Sequence, residues 1–411
     1  MSDTVPAGIS RGTPAFRRMM VALVAGGFAA FALLYCAQPL LPIFAAEFDQ
    51  TAASASLAVS LANGTLAGAI LFTSVVADRF DRRRLMVGAV VAAAILTLVV
   101  SIAPTWHLLL WARGLTGVVL AGVPAVALSY VVEEVDAASI GLAVGLHIGG
   151  NVFGGMAGRL ATGILADHYG WRIAVGAIGV CGLLAAGVLW LALPPSRRFT
   201  PRARPILPAL IALSGPFKDK GLPWLFLQSF IGMGSFVAVY NYIGFRLLGP
   251  PYNLSQTVVG LIFTCYLLGI VSSAWVGDLA GRLGRRKVYW MPIAGMVVGV
   301  ALTAAGPLPL VVLGVAVLTF GFFGAHSVAS SWVGRRAGAQ RVAASSLFLF
   351  FYYMGGSVIG TVAGFAWGHF GWSGVVILLE GLLGLALAVA IGLAFLRPLP
   401  GNEPPAQILG S

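Results

Sequence analysis

The chain has 411 residues, of which 59% are hydrophobic and only 9% are charged, and its formal net charge is +12. Soluble domains carry about a quarter charged residues, so this composition excludes a water-soluble protein. Most apolar runs extend for about 20 residues or more without alternating, which is the length of a membrane-crossing helix and not the pattern of a β-barrel. The composition therefore predicts an all-α, polytopic membrane protein.

Twelve apolar segments follow one another along the chain. The first, from Met19 to Phe44, is too long for the hydrophobic region of a cleavable signal and is interpreted as a membrane span. Because the number of spans is even, both termini are expected on the same side of the membrane. The predicted spans are 19–44, 55–77, 85–103, 107–132, 139–165, 172–193, 223–248, 256–277, 288–306, 308–333, 342–367 and 373–396.

Basic residues are concentrated in alternate loops. Arg11, Arg17 and Arg18 precede the first span, whereas the acidic Glu47 and Asp49 follow it, and a cluster of arginines comes after the second span. This alternation is typical of the positive-inside rule rather than of a nucleic-acid-binding surface. It predicts a multi-pass membrane protein with both termini in the cytoplasm and no nucleic-acid partner.

The longest polar break covers residues 194–222 and begins with PPSRRFTPRARP. Its prolines prevent a continuous helix, and its arginines favour contact with an anionic cytoplasmic leaflet. We therefore predict three regions, which are an N-terminal six-helix bundle over residues 1–193, a cytoplasmic linker over residues 194–222, and a C-terminal six-helix bundle with a short tail over residues 223–411.

Two internal repeats favour this division. The basic hairpin after the second span, SVVADRFDRRR at 74–84, returns as GDLAGRLGRRK at 277–287. A glycine pattern in the fifth span, at 154–155, 163 and 170–171 with its final tryptophan, returns at the same spacing at 355–356, 364 and 371–372. Since an even number of spans separates the copies, the repeats are parallel. The pattern indicates a carrier made of two related halves.

The hairpin that contains Asp78 and Arg79 resembles the signature loop of the major facilitator superfamily, G-x-x-x-D-R-x-G-R-R, although Ser74 and Asp81 stand where that motif has glycines. Arg113 with its following glycines, and the fifth span ending in Gly-Trp-Arg, are similar to the second and third motifs of the same superfamily. The resemblance covers the whole chain and implies twelve transmembrane helices in two pseudo-symmetric six-helix bundles. The segments RGTPAF, FALLYCAQPLLP and AHSVASSWVG resemble the acriflavine-sensitivity (YnfM-like) exporter subfamily, which implies a location in the bacterial inner (plasma) membrane.

We expect the charges of the two hairpins to form a conformational latch at the cytoplasmic side. Asp78 is suited to accept hydrogen bonds from a facing helix start, and Arg79 and Arg83 are expected to pair with Glu133, Glu134 or Asp136 after the fourth span. The alternative is that the arginines only set the topology. The predicted latch comprises Asp78, Arg79, Arg82, Arg83, Glu133, Glu134, Arg282, Arg285 and Arg286.

Charged side chains inside spans are costly in hydrocarbon and usually face the bundle interior. The resemblance makes Arg113 a candidate for modulating proton transfer or holding an anion, with structural pairing as the alternative, whereas Arg159 is a candidate within possible reach of Asp167. Glu380 and His326 are candidate proton carriers, and ordinary packing is the alternative for both. The predicted substrate and proton pathway comprises Tyr35, Gln38, Arg113, Asn151, Arg159, Gln228, Tyr240, Asn241, His326, Tyr353 and Glu380.

Several functional classes lack the motifs that they require. The sequence has no G-x-x-x-x-G-K-[ST] phosphate loop, no protease or lipase motif, and no cysteine spacing for a metal site. We therefore expect no enzyme activity, cofactor, metal or catalytic residue. The predicted function is proton-coupled efflux of drug-like or sugar-like small molecules across the lipid bilayer by a monomeric carrier. The alternatives are a proton-coupled importer of a small organic anion and a non-transporting membrane sensor or assembly partner.

Overall fold

A computed structural model describes residues 8–196, 198–199 and 206–395, except for the side chains at 74–76, 78, 125, 206, 207 and 209. Within these ranges the chain is almost entirely helical, and its only extended pairing is an isolated bridge between Ile9 and Val135. The predictions that fall on Arg197, Arg202 and Arg204 of the linker, and on the side chain of Asp78, lie outside the described residues.

Every predicted span contains a helix. The helices are α1 (Pro14–Glu47), α2 (Ala52–Val76), α3 (Arg82–Ser101), α4 (Trp106–Glu134), α5 (Ile140–Tyr169), α6 (Trp171–Ala192), α7 (Leu222–Leu248), α8 (Gln256–Leu283), α9 (Trp290–Thr303), α10 (Leu308–Arg336), and the two parts of Arg341–Ala394 on either side of Gly371, α11 (341–370) and α12 (372–394). Within the described chain, ten helices are long and apolar enough to cross a membrane. In this count α11 and α12 form one continuous helix. The 14-residue α9 is shorter.

Polar side chains at their first turns explain where several helices begin. The Thr13 hydroxyl accepts from the Phe16 N–H before α1, the Thr51 hydroxyl accepts from the Ser54 N–H before α2, and the Asp81 carboxylate accepts from Arg84 N–H at 2.8 Å before α3. Each side chain satisfies a backbone donor that has no partner inside the helix. Asp81, which departs from the glycine of the resembled hairpin motif, therefore serves as a helix cap.

Helix α1 is interrupted in its C-terminal third. Its first part ends at Tyr35, a short 3-10 turn covers Gln38–Leu40, and a second helix runs from Leu41 to Glu47. Pro39 and Pro42 explain the interruption, because proline has no N–H to continue the helical hydrogen bonds. The break turns the side chain of Gln38 and the main-chain carbonyl groups before it toward neighbouring helices.

The glycine repeat has matching contacts in the two halves of the chain. A Cβ atom at Gly154 of α5 would lie 2.2 Å from the carbonyl oxygen of Phe28 in α1, and one at Gly355 of α11 would lie 2.0 Å from that of Phe230 in α7. Only glycine permits these close backbone approaches. The repeat therefore reflects two equivalent helix pairs, α1 with α5 and α7 with α11.

Helices α1–α6 and α7–α12 contact each other toward the end of the molecule that lies opposite Arg82. Near that end, Thr257 N–H of α8 donates to Asp167 of α5 at 3.1 Å, the Gln256 amide of α8 donates to the Pro39 carbonyl, and α2 meets α11 where Ala53 adjoins Gly364. In the middle of the bundle, the Ser357 hydroxyl would stand 2.8 Å from a Cβ atom at Gly64. The two sets of helices thus meet at the end opposite Arg82.

Candidate functional site

Arg159 of α5 lies at the centre of the bundle and is almost completely buried, with 2% of its surface exposed. Its Nε donates to Oε1 of Gln38 at 2.5 Å, and its Nη1 donates to the carbonyl oxygen of Gly155 at 2.6 Å. Among the described residues, no carboxylate forms an ion pair with it. The guanidinium group is therefore a buried positive charge held by neutral partners.

A pair of amide side chains extends this site from the first half of the chain to the second. Nε2 of Gln38 donates to Oδ1 of Asn241 in α7 at 2.7 Å, and both residues are buried. Gln38 thus accepts from Arg159 and donates to Asn241 at the same time. Arg159, Gln38 and Asn241 form a continuous polar chain across the interface between α1–α6 and α7–α12.

Aromatic rings surround the guanidinium group of Arg159. Its central carbon lies 4.1 Å from the ring centre of Tyr35, 4.8 Å from that of Tyr266 and 5.6 Å from that of Phe263. Tyr240 of α7 packs on Phe263 with 5.2 Å between ring centres. These rings attract the cation through their negative faces and replace part of its hydration.

Several buried polar atoms near this interface have no hydrogen-bond partner in the described chain. They are the Tyr35 hydroxyl, the Ser60 hydroxyl, both side-chain polar atoms of Asn63, and Nδ2 of Asn241. A Cβ atom at Gly360 of α11 would lie 3.4 Å from both the Asn241 Nδ2 and the Ser60 Oγ, so these two groups both lie beside Gly360. An unsatisfied buried polar group costs about 1–3 kcal/mol, which makes a cluster of them unusual without a ligand or water.

Arg113 of α4 is equally buried but has a different set of partners. Its Nε donates to the carbonyl of Ala58 at 2.8 Å, its Nη1 donates to that of Leu33 at 2.9 Å, and its Nη2 donates to that of Leu34. The last two carbonyls precede the break in α1, where helical N–H partners are missing. Arg113 therefore supports the break from behind, with all three of its nitrogen groups engaged by main-chain oxygens.

The other residues of the predicted pathway are distributed around the bundle. His326 of α10 packs on Tyr352 with 4.8 Å between ring centres, and Tyr352 in turn contacts Tyr353 at 5.0 Å. Three further side chains lie apart from Arg159: Gln228 donates to the Ala386 carbonyl of α12, Asn151 of α5 faces α1 at Gly27, and the Oε1 atom of Glu380 in α12 has no partner among the described residues.

The charged residues of the predicted latch pair differently from the expectation. Arg82 pairs with Glu133 through two hydrogen bonds of 2.9 and 3.3 Å, while Arg83 donates to the Trp190 carbonyl and lies over its indole ring. The reason is geometric, because successive residues of a helix point about 100° apart. Arg82 consequently faces α4, and Arg83 faces α6.

The remaining latch residues are placed as follows. Glu134 accepts from the backbone N–H of Arg198 in the linker at 2.8 Å, whereas Asp136 accepts from the N–H of Ser139. Hydrogen bonds from Ser139 and Ser10 hold the pKa of Asp136 below its usual range. In the second hairpin, Arg282 pairs with Asp278 on the same helix, Arg285 donates to Ser331, and Arg286 lies in the turn Arg285–Val288. Arg79 ends the turn Ala77–Arg79.

Asp167 does not form the expected ion pair with Arg159 in the described structure, because it is bound to Thr257 of α8. The Asp167 carboxylate accepts from the backbone N–H and the hydroxyl of Thr257, at 3.1 and 2.6 Å. It therefore caps the start of α8, where the helix dipole favours a negative charge.

Sequence reasoning missed the α8 and α2 contributions to this site. Phe263 and Tyr266 lie at a 3-10 turn of α8, Ile262–Cys265. This turn contains no proline or glycine, so the sequence gives no sign that the helix changes its geometry there. By contrast, Ser56, Ser60 and Asn63 recur at helical spacing in an otherwise apolar helix, and this polar stripe is a signal that sequence inspection can detect.

The chain matches the model of the Major Facilitator Superfamily over residues 23–249 and 245–409. It is 42% identical to the uncharacterized MFS-type transporter YybF of Bacillus subtilis, over 94% of this chain and 95% of that protein. It is also 42% identical to the inner membrane transport protein YnfM of Escherichia coli, over 93% of this chain and 91% of that protein.

Solved structures share the fold at much lower identity. A variant of the nucleoside transporter NupG superposes with a TM-score of 0.77 at 14% identity, covering 93% of this chain and 100% of that one. A bacterial homologue of the human lysosomal transporter Spinster, inward-facing and occupied, gives a TM-score of 0.73 at 15% identity, over 93% and 96% of the two chains. These helices, their paired repeats and both sequence relatives identify the chain as a multi-pass membrane transporter of the major facilitator superfamily.

Proposed function

We propose that the protein exports small molecules from the cytoplasm in exchange for protons, by exposing the site around Arg159 to one side of the membrane at a time. The observation that carries this proposal is the hydrogen bond between Gln38 and Asn241, which joins the two halves directly beside a buried polar site. A site built from both halves must change when they rock against each other. The moving units are residues 1–193 and 223–411, connected by the linker at 194–222.

The topology and the contacts support this direction of transport. The arginine-rich end is assigned to the cytoplasm by the positive-inside rule, and the halves meet at the opposite end, through Asp167 and Thr257 among others. This closed outer end suits the state in which an exporter receives its substrate from the cytoplasm. The resemblance of three segments to the exporter subfamily favours the same direction.

The charged cluster at the arginine-rich end supplies the latch in this proposal. In the present state Arg82 and Glu133 pair within the first half, and Glu134 binds the start of the linker. When the outer end opens, the two arginine hairpins approach each other at the cytoplasmic end. The acidic residues beside Arg82 then hold the positive charges of that end together.

His326 is the proton carrier that the geometry favours among the predicted candidates. Its imidazole lies on Tyr352, within the aromatic set that continues to Tyr353, and an imidazole can accept a proton at one ring nitrogen and donate one from the other. Glu380, the other candidate, lies in α12, where its carboxyl group interacts with the backbone of Ala301 in α9 rather than with this aromatic set. We therefore assign proton exchange to His326.

The test uses purified protein in liposomes that contain a pH-sensitive dye. A panel of cationic dyes, sugars and organic anions is added, and proton movement is recorded for the wild type, for His326→Gln and for a control, His369→Gln, whose exposed ring lies away from the site. We expect protons to move opposite to the substrate, about ten-fold more slowly in His326→Gln and normally in the control. Proton movement in the same direction as the substrate would contradict export, and normal coupling in His326→Gln would contradict the assigned carrier.

A further inference from the structure

We propose that the central site binds the carboxylate group of a small hydroxylated organic acid, with Arg159 as its counter-ion. This inference rests on the proposed transport function and names its substrate class. It begins from the charge of Arg159, which is buried in a membrane-spanning helix without an acidic partner among the described residues. Charges within the bilayer are normally paired or face a wet cavity, so the missing partner points to a ligand.

The guanidinium group has an available donor on the correct edge. Nε and Nη1 of Arg159 are engaged by Gln38 and Gly155, whereas Nη2 makes no hydrogen bond within the described chain. Nε and Nη2 share the edge on which arginine binds a carboxylate with two parallel hydrogen bonds. A carboxylate that displaces the neutral oxygen of Gln38 would occupy both positions, and a charged acceptor bonds more strongly than an amide.

The unsatisfied polar groups indicate the rest of the ligand. Asn63 has an unpartnered donor and an unpartnered acceptor among the described residues, and it lies beside Gly356 of α11. The Ser60 hydroxyl and the Asn241 Nδ2, which also lack partners in the described chain, lie beside Gly360 of the same helix. Hydroxyl groups on the ligand can donate to and accept from this set. An acid without hydroxyl groups would leave the buried amides unsatisfied, and a neutral polyol would leave the charge of Arg159 unpaired.

The aromatic rings limit the size and shape of the ligand. Tyr35, Tyr266 and Phe263 lie within 5.6 Å of the guanidinium carbon, so the carboxylate must approach along the open edge rather than from a face. Apolar walls with a few convergent polar groups are typical of sites that bind small molecules. The site thus fits a compact monocarboxylate with a short hydroxylated body.

Matched acid and amide probes test the charge requirement directly. Gluconate is compared with gluconamide, and lactate with lactamide, by the ligand-induced rise in the melting temperature of the full-length protein in detergent. We expect gluconate to stabilise the wild type at concentrations at least ten-fold lower than gluconamide does, with lactate weaker because it has fewer hydroxyl groups. Equal responses to acid and amide, or no response to either acid, would overturn the proposal.

Substitutions at one position separate charge from structure. Arg159→Gln should abolish the preference for gluconate over gluconamide, Arg159→Lys should retain part of it, and the exposed control Arg17→Gln should retain it all. If Arg159→Gln fails to fold, the lysine variant and the wild-type acid and amide pairs still decide the matter. Binding of acids without proton flux in liposomes would refute proton-coupled export alone, whereas proton-coupled transport of neutral sugars without acid binding would refute the carboxylate site alone.

Discussion

Two buried arginines in neighbouring helices of the first half show that burial alone does not identify a functional charge. Arg113 and Arg159 are 1% and 2% exposed, and neither has an acidic partner among the described residues. Arg113 donates from all its nitrogen groups to main-chain carbonyls of one half, whereas Arg159 bonds a side-chain amide that reaches the other half and keeps one nitrogen available. The first arrangement is complete without a ligand, and the second is not.

The largest effect on stability is expected when the hydrogen bonds between Arg113 and its main-chain carbonyl partners are removed. Arg113→Ala removes the guanidinium donors from the carbonyls of Leu33, Leu34 and Ala58 together with a large buried side chain, so we expect a loss of about 3 kcal/mol or more of folding free energy. Arg113→Lys should also fail, because a single ammonium group cannot reproduce the planar fork of a guanidinium.

The measurement is the yield of monodisperse protein and its melting temperature in detergent, with Arg159→Gln beside it. We expect little folded Arg113→Ala protein and a nearly normal yield of Arg159→Gln. If the two variants lose the same amount of folded protein, the distinction between a structural and a ligand-binding arginine is wrong.

An intermediate effect is expected from the amide bridge that distinguishes the Arg159 site. Asn241→Ala removes one buried hydrogen bond, which costs about 1 kcal/mol of stability, and it leaves Gln38 without its fixed orientation. We expect gluconate binding to weaken several-fold while the protein remains folded, as measured by the same thermal-shift titration. The matched control is Ser235→Ala on the same helix, where a buried hydroxyl has no partner to lose. Equal binding losses in both variants would indicate a general disturbance of α7.

The smallest effect on stability is expected at Arg336, which already forms an ion pair with a carboxylate of the chain. Arg336 at the end of α10 donates to Asp219 at 2.5 Å, just before α7. Partial burial raises the pKa of Asp219, but hydrogen bonds from Arg336 and from the N–H groups of Gly221 and Leu222 outweigh it, so the net pKa is lowered. The stabilisation is therefore complete above the ordinary aspartate pKa of about 3.9 and is lost as the pH falls through the lower native value.

We expect Asp219→Asn to melt a few degrees below the wild type at pH 7. In acid, where Asp219 of the wild type becomes protonated, the two melting temperatures should converge. Melting curves recorded from about pH 7 down to about pH 2 measure this, because the stabilisation begins to fall only below the ordinary aspartate pKa of about 3.9. A difference that stays constant down to the lowest pH would contradict an ionic role of Asp219. Unlike Arg159, Arg336 should show no dependence on organic acids.

The fold could be predicted from the sequence because its main determinants are local. A run of apolar residues long enough to span hydrocarbon becomes a helix wherever it occurs in the chain, and the glycine repeat marked the two equivalent helix pairs. The interruption of α1 followed from Pro39 and Pro42, but it was not predicted. The 3-10 turn Ile262–Cys265 contains no proline from which it could be predicted.

The site could be predicted only in part, because its chemistry depends on distant contacts. Tyr35, Gln38, Arg159 and Asn241 belong to the predicted pathway, and the structure brings them together. The sequence did not reveal that Arg113 would be enclosed by carbonyl groups, since main-chain oxygens are present everywhere. Pairing of Arg82 rather than Arg83 with Glu133 depended on the rotation of α3, which composition does not determine.

The unpaired charge of Arg159 also has an electrical consequence. With an organic acid bound the site is neutral, so the membrane voltage acts weakly on the step that carries the ligand outward. The empty site carries one positive charge, and an inside-negative voltage draws it back toward the cytoplasm with up to about 2.3 kcal/mol per 100 mV. An exporter built in this way would be driven by voltage mainly through the return of its empty form, and a counter-moving proton would add a second inward charge to each cycle.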